Sequence, residues 1–97
     1  MELVVYKIKP DQIENYRNSA LHQFRELVRS FSGMLHYHTY GALGDSGLFV
    51  DQVQWENQES AEFAAEKIRS LQHEEPFASI FSTFEEIQLC HHFRQIP

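Results

Sequence analysis

The stretch Met34-Leu35-His36-Tyr37-His38-Thr39-Tyr40, then Gly41-Ala42-Leu43-Gly44-Asp45-Ser46-Gly47, then Leu48-Phe49-Val50-Asp51-Gln52-Val53-Gln54-Trp55-Glu56 decides the fold. Its flanks are rich in aromatic and β-branched residues, which suit a pleated, half-buried ladder. The seven residues between them hold three glycines with Asp and Ser, the composition of a turn. Residues 34–56 therefore read as a β-hairpin. Because strand residues alternate sides, Phe49, Val53 and Trp55 share one face of its second strand, and Leu48 and Val50 share the other.

Working outward, Ile13, Tyr16, Ala20, Phe24, Leu27, Val28 and Phe31 recur at three- and four-residue spacing before the hairpin, with polar residues filling much of the remainder. That spacing predicts an amphipathic helix of roughly twenty residues from Asp11, stopped by Gly33. Leu3, Val4, Val5, Tyr6 and Ile8 predict a first strand over residues 2–9, which Pro10-Asp11 breaks. After the hairpin, Asn57 caps a second helix with Ala61, Ala64, Ile68 and Leu71 as its apolar stripe, ending near Gln72. Pro76 opens a short helix carrying Phe77, Ile80 and Phe81, and residues 84–93 predict a last strand.

The order β-α-β-β-α-β predicts a ferredoxin-like α+β domain: one four-stranded antiparallel sheet with both long helices on a single face. At 97 residues the whole chain, 1–97, makes one domain. Strand one has Leu3 and Val5 on one side and Val4, Tyr6 and Ile8 on the other, so both faces of the sheet carry apolar residues. The face without helices needs a cover, and a second copy of the chain supplies it most simply, giving a homodimer through the open sheet face.

Fourteen acidic against eight basic residues, with no Lys/Arg cluster, argue against a nucleic-acid partner. No apolar run is long enough to span a membrane, and Met1 leads into a strand rather than a secretory signal. The single Cys90 cannot form an internal disulfide and reads as a small buried hydrophobe. A cytoplasmic location is the expectation.

Lys9-Pro10, the long helix ending in Ser32-Gly33-Met34-Leu35, Tyr37 and Tyr40 on the next strand, and Phe49-Val50 leading into Gln54-Trp55-Glu56-Asn57-Gln58-Glu59-Ser60 resemble the antibiotic-biosynthesis-monooxygenase group of dimeric α+β barrels. The likeness runs over nearly the whole chain. Its most specific element is a tryptophan at the end of strand three followed by a polar cap and the second helix. The resemblance implies a dimer, and its members include cofactor-independent oxygenases of phenols, anthrones and quinols as well as haem-degrading enzymes. The haem-degrading branch uses an asparagine on strand one and a histidine on the short helix, where this chain has Val4 and Phe81. Haem degradation is disfavoured accordingly.

Six histidines stand out in so short a chain. His36 and His38 lie two apart on one strand and so share a face with Tyr40, which makes them candidates for an acid and base pair. No nearby carboxylate or cysteine completes a ligand set around them, so no metal is expected. Trp55, Tyr37, Tyr6 and Phe77 are the candidate walls of a cavity for a flat ligand, with His73 or Tyr6 as hydrogen-bonding partner. Two functions compete: an oxygenase that oxidises a small flat quinol- or phenol-like substrate without metal, flavin or other cofactor, and a non-catalytic dimeric module that holds a small hydrophobic ligand.

Overall fold

The computed structural model describes residues 1–97. The hairpin forms as its composition dictates, with strand β2 at Met34–Gly41 and β3 at Leu48–Trp55. Strand β1 is Glu2–Ile8 and β4 is Phe84–His92, and the sheet order is β2-β3-β1-β4 with every pair antiparallel.

Helix α1 occupies residues 10–29. It begins as a 3-10 turn at Pro10–Gln12, where proline lacks the N–H that a helix start leaves unpaired. It then widens into a π-helical stretch at Tyr16–Ala20 before closing as an α-helix over Leu21–Arg29. Tyr16, Ala20, Leu21 and Val28 are buried along it. Gly33 follows at φ +88°, in the left-handed region that a side chain resists, and its carbonyl accepts the Glu56 backbone N–H.

Helix α2 is Gln58–Leu71, and Asn57 caps it by accepting the Ser60 backbone N–H at 2.8 Å on its side-chain oxygen. A five-residue helix α3, Phe77–Phe81, buries Phe77 and Ile80.

Two apolar clusters lie between the helices and one face of the sheet. Tyr6, Ile8, Tyr16, Ala20, Leu21, Phe49 and Ile80 form the first; Val28, Tyr37, Val53, Trp55, Ala61 and Ala64 form the second. Phe24 packs against both. The opposite face has no helix on it. Leu3, Val5, Leu48 and Val50 on that face are only partly buried within the single chain, and Val5 pairs with Val50. No helix is long and apolar enough to cross a membrane.

Strand β4 departs from simple alternation. Register shifts between Val5 and Tyr6 and between Lys7 and Ile8 pair Val4 with Cys90, Tyr6 with Ile87 and Ile8 with Phe84. An uninterrupted strand shows every second residue to one face; two bulges instead turn every third, Phe84, Ile87 and Cys90, toward the helices. Cys90 is exposed there, which corrects the reading of it as a buried hydrophobe.

Candidate active site

Alternation along β3 sends Phe49, Asp51, Val53 and Trp55 to the helix side, and all four are buried. Three of them are apolar. Asp51 is a carboxylic acid only 4% exposed, and such a group persists only where donors replace the water it has lost.

Three hydroxyls do so. Tyr6 on β1 donates to Asp51 Oδ1 at 2.8 Å, Thr39 on β2 donates to the same oxygen at 2.8 Å, and Tyr37 on β2 donates to Oδ2 at 2.6 Å. The sheet register brings them there: Thr39 pairs directly with Asp51, Tyr37 with Val53, and Val4, two residues before Tyr6, with Asp51. Tyr16, held by the π-helical turn of α1, meets the Tyr6 hydroxyl in turn. Tyr6 is clamped between Phe49 and Phe84, with ring centroids 5.8 and 4.8 Å away. The Arg25 guanidinium lies 5.6 Å from the centre of the Tyr37 ring.

Burial pushes the Asp51 carboxyl above the usual carboxylate range; the Tyr37, Thr39 and Tyr6 hydroxyls and the Arg25 charge pull it back without cancelling the rise. Burial, reinforced by the Asp51 charge, also holds the Tyr6, Tyr16 and Tyr37 hydroxyls protonated well above ordinary tyrosine. Around neutral pH the cluster is one carboxyl fed by neutral phenols.

This cluster forms the floor of a cavity of about 460 Å³ between sheet and helices. Val4, Phe24, Val28, Val53, Ala64, Ile68, Phe81, Phe84 and Ile87 give it a mainly apolar wall. Trp55 closes one end, its indole N–H donating to Glu2 Oε1 at 2.9 Å, and Glu2 and Cys90 line the cavity beside it. Arg69 and Gln72 are exposed lining residues contributed by the end of α2. A wider groove of about 780 Å³ lies beyond Trp55, lined by Gln54, Asn57, Gln58 and the segment from His92 to Gln95, and none of its ionisable residues is buried.

Tyr6, Tyr37 and Trp55 thus come together in the cavity wall. Phe77 does not: it is buried behind the wall against Phe24 and Phe81. His73 is exposed just past the end of α2 and is not among the lining residues.

His36 and His38 require a larger correction. Their register partners, Gln54 and Gln52, belong to the outward parity of β3, so both imidazoles stand on the helix-free face, across the sheet from the cavity. Their rings stack at 6.2 Å, and no third His, Cys, Asp or Glu joins them in a potential metal cluster. A base acting inside the cavity must therefore come from elsewhere, and Asp51 is the carboxyl buried at its floor, beside phenols that burial keeps protonated. The sequence contained a signal for it: a lone acid on the inward parity of a strand whose other inward residues are apolar.

The family model for antibiotic biosynthesis monooxygenase matches residues 1–67. Among solved structures, a Bordetella bronchiseptica protein provisionally described as an antibiotic biosynthesis monooxygenase superposes with a TM-score of 0.78 at 14% identity, over 99% of this chain and 95% of that one. SnoaB, a cofactor-independent oxygenase from Streptomyces nogalater, superposes with a TM-score of 0.70 at 12% identity, over 98% and 92% of the two chains. PA3566 from Pseudomonas aeruginosa gives 0.71 at 17% identity, over 99% and 92%. Likenesses at such low identity carry the fold alone. No curated protein matches the chain. The family match spans β1, α1, the hairpin and most of α2, the elements that supply Tyr6, Tyr37, Asp51 and Trp55, and on it the chain belongs to the antibiotic biosynthesis monooxygenase family.

Proposed function

We propose that this protein is a cofactor-independent monooxygenase of a small, flat, hydroxylated aromatic substrate, with Asp51 as the base. The observation that carries the reading is the buried Asp51 carboxyl, ringed by three hydroxyls, at the floor of a mainly apolar cavity walled by Trp55. An apolar slot suits a planar ring. A carboxyl raised by burial is a stronger base than a solvated one and is better matched to an acidic aromatic hydroxyl.

Deprotonated, such a substrate supplies the electrons that reduce oxygen. The balance for a phenol oxidised to a quinone is one ring C–H and one O–H lost, one oxygen atom entering the ring, and one water released per O2. Asp51 takes the hydroxyl proton on Oδ2, and the acid so formed then donates a hydrogen bond to the developing oxyanion. Tyr6 and Thr39 keep Oδ1 occupied, which fixes the carboxyl plane. The family resemblance implies that the working form is a homodimer closed over the helix-free sheet face.

The test is oxygen uptake with a panel of quinols, naphthols and anthrones. Turnover should fall by about a hundredfold or more in Asp51→Asn, and His36→Ala and His38→Ala should leave it nearly unchanged. Absence of uptake across the panel, with binding retained, would transfer support to the second reading, a non-catalytic dimeric module for a small hydrophobic ligand, which the apolar lining also favours.

A further inference from the structure

We infer that the cavity floor is built as a hydrogen-bond acceptor, so that it selects an uncharged flat ring presenting a hydroxyl over the same ring carrying an ether. Hydrogen-bond polarity carries this. Tyr6 owns one hydroxyl proton and gives it to Asp51 Oδ1, so Tyr16 is the donor in the contact between the two tyrosines. Tyr37 spends its proton on Oδ2, Thr39 on Oδ1, and Trp55 its indole N–H on Glu2 Oε1. What remains open to a ligand at the floor is acceptor capacity: Oδ1 already receives two hydroxyls, whereas Oδ2 receives one. Glu2 Oε2 adds a second acceptor beside Trp55, with only the Cys90 sulfur near it at 4.0 Å. A ligand carboxylate would meet both acids.

The same polarity reverses on protonation. With Oδ1 filled, a protonated Asp51 carries its hydrogen on Oδ2 and points it into the cavity, where it favours a carbonyl. Burial keeps this switch above the ordinary carboxylate range. The groups that face Asp51 are Tyr6 from β1, Tyr37 and Thr39 from β2 and Tyr16 and Arg25 from α1, with Glu2 from β1, Arg69 from α2 and Cys90 from β4 in the cavity wall. The phenols stay protonated throughout this range, so the change in floor polarity belongs to Asp51.

The inference deepens the proposed function by naming what the substrate must present, and its test does not depend on turnover. The wild-type protein is titrated calorimetrically under argon with 1-naphthol, 1-methoxynaphthalene and 1,4-naphthoquinone at pH 7.5 and at pH 4. At pH 7.5 the naphthol should bind about ten- to a hundredfold tighter than its methyl ether, the yield of one hydrogen bond to a charged group. At pH 4 that preference should narrow while the quinone gains affinity. Asp51→Asn, with an amide that does not titrate, should lose the naphthol preference at pH 7.5 and the narrowing of that preference between the two pH values. His38→Ala, on the helix-free face across the sheet from the cavity, should keep the naphthol preference. Equal affinity for naphthol and ether at pH 7.5, or a preference that Asp51→Asn leaves intact and still pH-dependent, overturns the inference. Selective binding without oxygen uptake sinks the oxygenase alone, and uptake without selectivity sinks this inference alone.

Discussion

The Asp51–Tyr37 contact offers the sharpest physical test of the site, through a double-mutant cycle of Tyr37→Phe and Asp51→Val. The hydroxyl and carboxyl are 2.6 Å apart, within the range of a charge-assisted O–H···O bond, and the two residues are 7% and 4% exposed. Little of either group meets bulk water, and salt screens so buried a pair only weakly. Tyr37→Phe deletes one donor and leaves Asp51 with Tyr6 and Thr39. Asp51→Val removes an expensive buried acid but orphans the Tyr37 hydroxyl, which has no other hydrogen-bond partner; Tyr6 retains Tyr16, and the half-buried Thr39 is open to water. The two effects of that second substitution oppose each other, so its single value decides little.

The coupling decides. A hydrogen bond to a charged group is worth about 1.5 to 3 kcal/mol, and the double variant, with an apolar pair in place of the polar one, should be more stable than the sum of the singles by that amount. Urea unfolding followed by Trp55 emission, at one fixed protein concentration because self-association shifts apparent stability, measures it. Coupling below about 0.5 kcal/mol would mean that the carboxyl is solvated in solution, and the closed, water-poor floor on which the function rests would be wrong.

Gly33→Ala should destabilise more than Gly44→Ala in thermal unfolding. Both glycines have positive φ, costing a side chain about 1 to 2 kcal/mol, but a Cβ at Gly33 would stand 2.6 Å from Ser60 Cβ at the start of α2 whereas none at Gly44 meets an atom within 4 Å. Adding Ser60→Gly should recover part of the excess at Gly33, and equal losses for the two alanine variants would refute the close approach. For the helix-free face, light scattering at micromolar concentration should give about 23 kDa, twice the 11.4 kDa chain, and Val5→Lys, at the pairing of β1 with β3, should give the monomer mass. A wild-type monomer would remove the homodimer from the proposed function.

Local features are legible in the sequence. Glycines 41, 44 and 47 with Asp45 marked the hairpin loop, the spacing from Ile13 to Val28 marked α1, and Asn57 marked the start of α2, because each signal lies within a few residues of the feature it specifies. The site depended on separations of another order: Asp51 gathers Tyr37 from 14 residues away and Tyr6 from 45, and only the β2-β3-β1 order joins them. The bulges of β4 were likewise hidden, since nothing in Phe84 to Cys90 taken alone says that every third residue turns inward.

His36 and His38 stand outside the cavity for a reason the sequence already held. Phe49, Val53 and Trp55 set the buried parity of β3, and an antiparallel register without slippage gives directly paired residues the same face. With Tyr37 opposite Val53 and Thr39 opposite Asp51, the hydroxyls are inside and the imidazoles between and beside them are outside. Histidine count favours the more familiar acid–base group, while parity favours the neighbouring tyrosine and threonine. In a sheet covered on one face, a one-residue change of parity moves a side chain from cavity to open surface, so parity relative to the most apolar strand outweighs residue type in deciding which groups reach the cavity. That leaves Asp51, on the parity of Phe49 and Val53, as the acid whose burial needs a chemical reason.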